Sequence, residues 1–104
     1  MTRSFQDLVQ ARASRDSAFG EALLREGLDA MLAGDVELGK AILREYIKGA
    51  IGFENLAEAT STPAKSLIRM FGPRGNAQAR NLFGVIGYLQ KRAGVEFHVE
   101  ARAR

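Results

Sequence analysis

FENLAEATSTPAKSLIRMFGPRGN, residues 53–76, reads as two short helices separated by a tight polar turn. The second divides into two faces. At 3.6 residues per turn, Thr62, Lys65, Ser66 and Arg69 fall within an arc of roughly 100°, and Pro63, Ala64, Leu67, Ile68, Met70 and Phe71 fill the rest of the circle. Thr62 is placed as its N-cap and Pro63 as its first helical residue, where a missing N–H is no loss. Gly72-Pro73 stops it, and GPRGN (72–76) is a turn. A short helix that buries one side and shows Thr, Lys, Ser and Arg on the other suits a DNA major groove.

Outward from this stretch the periodicity stays helical. Residues 4–13 are weakly helical, with Phe5, Leu8, Val9 and Arg12 at helical spacing, so residues 1–16 form an arm or weak helix. Residues 17–33 form a stronger helix, with Ser17 as N-cap, Ala22, Leu24, Leu28, Met31 and Leu32 at the 3–4 spacing, and Gly34 at its end. Asp35 caps a third helix, roughly 36–50, whose stripe is Leu38, Ile42, Leu43, Tyr46, Ile47 and Ala50. Residues 77–93 form a long helix with Leu82, Val85, Ile86 and Leu89 inward. Gly84 and Gly87 weaken it and allow a neighbour to approach closely.

The period then changes. In Val95-Glu96-Phe97-His98-Val99-Glu100, apolar and polar residues alternate, as in a strand half-buried on one face. No second strand is legible. A lone strand must satisfy its backbone groups somewhere, so the expectation is pairing outside the chain, with a dimer mate or a second protein. The fold class expected is all-α: about five helices and a short C-terminal β-strand at 95–100, with residues 17–104 as one domain.

At 104 residues and 46% apolar, the chain is long enough for one hydrophobic core. It has no cysteine, so a disulfide framework and a thiolate zinc site are excluded. No apolar run approaches the roughly 18 residues of a membrane span, and the N-terminal residues carry no signal-peptide core. The expected location is the cytoplasm. The net charge of +3 hides an asymmetry. Residues 1–60 hold 7 Lys/Arg against 10 Asp/Glu, a net of −3, and residues 61–104 hold 8 against 2, a net of +6. The basic half begins where the polar-faced helix begins, which points to a polyanionic partner.

With these residues in view, the chain resembles helix-turn-helix proteins of the Xre/Cro type, and more closely the addiction-module antidote (HigA-like) antitoxins. The match lies in Leu56-Ala57, Thr60-Ser61-Thr62, Lys65-Ser66-Leu67, Gly75-Asn76, and the helix with Asn81-Leu82, Val85-Ile86 and Leu89. Upstream, Gly34-Asp35 and Ile51-Gly52-Phe53 also match. The resemblance implies a lambda-repressor-like helix-turn-helix core in which Ala57 lets two helices cross closely over Leu56, Leu67 and Met70. It also implies a homodimer that binds double-stranded DNA and represses its own operon, with a small basic ribonuclease toxin docking on the acidic half. Four positions depart from the family pattern: Phe53, Ser61, Ala64 and Ala77. Ser61 stands where glycine is usual, so a left-handed backbone there carries strain.

The DNA-binding residues expected are Thr62, Lys65, Ser66, Arg69, Arg74, Asn76 and Arg80. Arg69 can pair twice with a guanine edge, and Lys65 and Ser66 suit base or phosphate. Arg74, Asn76 and Arg80 are placed to hold phosphates. Two other readings stay open: a stand-alone transcriptional regulator, and a protein-interaction module that has lost DNA binding. No catalytic set, cofactor motif or metal-ligand spacing is legible, and His98 is the only histidine, so an enzyme is not expected.

Overall fold

The computed structural model describes residues 4–75 and 77–104. These form six helices, α1 (Phe5–Arg15), α2 (Ser17–Leu32), α3 (Val36–Ala50), α4 (Phe53–Thr60), α5 (Ala64–Met70) and α6 (Ala79–Ala93). The all-α class stands. There is one helix more than expected, because the arm at the start of the chain is an 11-residue helix capped by Ser4, whose hydroxyl accepts from the Asp7 N–H. Among the described residues no helix is long and apolar enough to cross a membrane.

Helices α2 and α3 form an antiparallel hairpin through small residues. A Cβ on Gly39 would meet the Gly27 carbonyl oxygen at 2.8 Å, and one on Gly27 would meet Leu43. Helix α1 crosses α3 in the same way, with Gly49 against the Gln10 backbone. Close approach was expected at Gly84 and Gly87 instead, but nothing lies within 4 Å of a Cβ at either. The glycines that matter are those facing another helix's backbone, which spacing within one helix does not reveal.

The core is one cluster. Leu24, Leu43, Tyr46 and Ile47 come from α2 and α3, and Phe53 and Leu56 from α4. Leu67, Met70 and Phe71 come from α5 and its end, and Val85, Ile86 and Leu89 from α6. Leu32 and Leu38 flank the α2–α3 turn and are exposed, although helical spacing placed both with the buried stripes. A stripe that continues to the tip of a hairpin runs out of facing helix.

Two caps differ from expectation. Asp16 rather than Ser17 caps α2, its carboxylate accepting from the Phe19 N–H. Pro63 rather than Thr62 is the N-cap of α5, with no side-chain cap bond. The Pro63 carbonyl still opens the helix, accepting from the Ser66 and Leu67 N–H groups. Helix α6 begins at Ala79, two residues later than the periodicity indicated.

The strand expected at 95–100 is not formed within the single chain: among the described residues there is no strand at all, and residues 95–104 run on without regular structure from the left-handed Gly94 that ends α6. Its backbone has no neighbouring strand to bond to, and a ladder needs one.

Candidate nucleic-acid interface

The turn between α4 and α5 is set by one residue. Ser61 adopts φ 53° and ψ 37°, the left-handed conformation that the resemblance implies at this position. This reverses the chain after Thr60, whose hydroxyl donates back to the Leu56 carbonyl at 2.7 Å. Helix α5 is then clamped from beneath. Leu56 and Leu67 are fully buried, Met70 nearly so, and the Phe53 and Phe71 rings sit 6.3 Å apart in a tilted pair.

Burying Leu67 and Met70 turns Lys65, Ser66 and Arg69 outward, and all three are exposed. None of their side chains has a hydrogen-bond or ion-pair partner among the described residues, so their donors are free. Thr62 is half-buried, and its hydroxyl donates to the Thr60 carbonyl at 3.2 Å. Its single proton is committed inside the turn, which leaves it only as an acceptor. Ile68, grouped with the apolar side, is 50% exposed and sits among the polar residues.

Beyond α5 the chain doubles back tightly. The Gly72 N–H donates to the Arg69 carbonyl, and the Gly75 N–H to the Gly72 carbonyl. Gly75 is packed so closely on the Arg69 carbonyl that any Cβ would overlap it. Arg74 projects from this turn, exposed, and Arg80 projects from the first turn of α6. Asn76 lies outside the described residues.

Two cations of α3 hold the same turn. The Lys40 ammonium, buried, donates to the Gly75 carbonyl at 2.9 Å and lies 3.5 Å from Glu37. Arg44 donates to the Phe71 carbonyl at 3.1 Å. Phe71 closes α5, and a carbonyl at a helix C-terminus has no partner in its own helix, so Arg44 there satisfies both hydrogen bond and dipole, while Lys40 satisfies a turn carbonyl. Sequence reasoning missed both residues. The available signal was Lys40 in step with Leu43 and Ile47 on an otherwise apolar stripe.

Thr62, Ser66 and Arg80 meet along one cleft of about 660 Å³ between α5 and α6, with Asn81 and Tyr88 on its far wall. Lys65, Arg69 and Arg74 lie outside that cleft. The site is therefore a cleft of mixed polar and apolar lining, with Lys65, Arg69 and Arg74 exposed outside it. Chemically it can donate to anionic or acceptor-rich surfaces. Among the described residues no group of three or more His, Cys, Asp or Glu could hold a metal ion. His98 is exposed, with Glu96 at 3.8 Å. No family model matches this chain, and comparison with curated proteins and with solved structures gives no match.

Proposed function

We propose that this protein binds double-stranded DNA sequence-specifically through α5, in a lambda-repressor-like helix-turn-helix formed by α4 and α5, and represses its own promoter. The observation that carries this is the set of exposed donors of Lys65, Ser66 and Arg69, unpaired among the described residues, on a helix whose other side is locked into the core. A rigid support with free donors is what direct readout of a groove requires. Arg80, in the cleft beside Ser66, and Arg74, on the turn after α5, are the phosphate contacts. The resemblance to addiction-module antidote proteins adds the role of antitoxin, with the acidic N-terminal half as the docking side for a small basic toxin. The molecule works as a homodimer, presenting two such helices to two half-sites.

The test is binding of the purified protein to its own upstream DNA and to a scrambled duplex across a salt series. Selective binding that weakens linearly in log salt supports the reading. Equal, feeble binding to both duplexes defeats it and leaves α4–α5 as a scaffold for protein contacts. Co-purification with the product of an adjacent small basic gene tests the antitoxin role separately.

A further inference from the structure

The backbone of residues 95–104 is used on one edge only. The Val95 N–H donates to the Gln90 carbonyl at 3.0 Å, and the Phe97 N–H to the Gln90 side-chain oxygen at 2.9 Å. In an extended segment, alternate residues turn their N–H and C=O groups to opposite edges. Val95 and Phe97 thus turn their N–H groups to Gln90 of α6. The groups of Glu96, His98, Glu100 and Arg102 face the other way and have no backbone partner among the described residues. Side chains alternate too: Val95 and Phe97 are half-buried, while Glu96 and His98 share the outer face. Past Phe97 the inner face runs off the body, and Val99 is 76% exposed beside Leu32 and Phe83, 68% and 64% exposed, which line the same apolar groove.

We propose that two copies of this chain dimerise by pairing residues 96–102 as antiparallel strands, with Val99 of each on the two-fold axis. The charges select the register. A two-fold at His98 sets Glu96 against Glu100 of the partner subunit. One at Ala101 pairs only residues 100–102 and leaves Glu96 and His98 outside the paired span. One at Phe97 carries Arg102 beyond the strand. Only with Val99 on the axis do Glu96, Glu100 and Arg102 all lie within the paired span with no like charges opposed. Glu96 then meets the partner's Arg102, His98 meets the partner's Glu100, and symmetry doubles each pair. Backbone polarity agrees. The central Val99 pair is non-hydrogen-bonded, and the even residues exchange N–H···O bonds across the axis, as their open edge requires. The axis also brings the two exposed valines together next to Leu32 and Phe83. Two strands alone are marginal, and this apolar patch supplies the burial they lack.

The chain has no cysteine, which makes the register directly readable. Val99→Cys, at an exposed on-axis position, should form a disulfide-linked dimer readily under mild oxidation. Ala101→Cys, equally exposed, should not, because its copies lie about 13 Å apart at two residues either side of the axis. In sedimentation equilibrium the unmodified chain should be a dimer. Glu96→Lys should weaken it by about tenfold, and Glu96→Lys with Arg102→Glu should restore it, all with unchanged helical circular dichroism. A monomer at every accessible concentration, equal cross-linking at 99 and 101, or an unaffected Glu96→Lys dimer would each overturn the proposal. None of these readouts involves DNA, so this result and that of the promoter experiment are independent.

Discussion

Lys40 and Gly75, 35 residues apart in sequence, are joined by a 2.9 Å hydrogen bond from a buried ammonium to a turn carbonyl. Through it the α2–α3 hairpin fixes the turn that carries Arg74. Replacing Lys40 by Met keeps the aliphatic stem and removes the donor, leaving the Gly75 carbonyl unsatisfied. Hydrogen bonds to charged groups contribute about 1.5–3 kcal/mol, so Lys40→Met should lower unfolding free energy by that order in urea denaturation. Glu37, largely exposed at the other side of the ammonium, should matter little: Glu37→Gln is expected to shift stability by less than about 0.5 kcal/mol.

Glycines of α3 and α6 should respond in opposite directions. A Cβ at Gly39 would sit 2.5 Å from the Met31 side chain and 2.8 Å from the Gly27 carbonyl oxygen. The backbone oxygen cannot retreat, so Gly39→Ala should destabilise by about 1–3 kcal/mol. Gly84 is helical with nothing within 4 Å, and Gly84→Ala should stabilise by roughly 0.5–1 kcal/mol. Thermal melts of the two variants check both signs.

Ser61 holds the left-handed turn without glycine's freedom. Ser61→Gly removes the Cβ clash at the price of a more flexible unfolded chain. The net gain should be under about 1 kcal/mol, with α5 unmoved as judged by amide chemical shifts.

The helices and the outward set of Lys65, Ser66 and Arg69 are legible because each rests on local chemistry, 3.6-residue spacing and a proline, while the left-handed turn at Ser61 follows only from the resemblance. What was not legible depends on distant residues. Nothing near Lys40 in sequence announces Gly75. Nothing within α6 says that its glycines face no neighbour. The Thr62 hydroxyl is expected to cap α5 and to meet DNA, but the Thr60 carbonyl, turned toward it once Ser61 has reversed the chain, accepts its hydrogen bond. Residues 95–98 alternate between half-buried and exposed, but Val99 is exposed, and a strand is a property of two segments, of which a single chain holds one.

Tyr46 gives a pH signature. Burial raises its phenol above the ordinary value of 10.0, with the nearby Arg92 charge opposing. The folded state thus favours the neutral phenol. The stability it contributes is full below pH 10.0 and is lost as pH rises through the higher folded value, because the unfolded chain ionises first. Wild type should lose more thermal stability than Tyr46→Phe between neutral pH and the strongly alkaline range. Equal losses would mean that the phenol is as well solvated as in the unfolded chain.

Arg69 and Arg74 should separate readout from grip. Both are exposed, but Arg69 projects from the helix proposed to enter the groove and Arg74 from the turn beside it. Loss of a guanidinium that pairs with a base edge costs about 1–3 kcal/mol of binding and relaxes selectivity at that base. Loss of a phosphate contact weakens all duplexes alike and reduces the salt slope by about one. Arg69→Ala should therefore narrow the gap between promoter and scrambled DNA. Arg74→Ala should lower both affinities together and flatten their salt dependence. Fluorescence anisotropy on the two duplexes at several salt concentrations reads both effects, and circular dichroism confirms the fold. If Arg69→Ala instead behaves as Arg74→Ala does, α5 lies along the backbone, and specificity must come from the shape of the duplex.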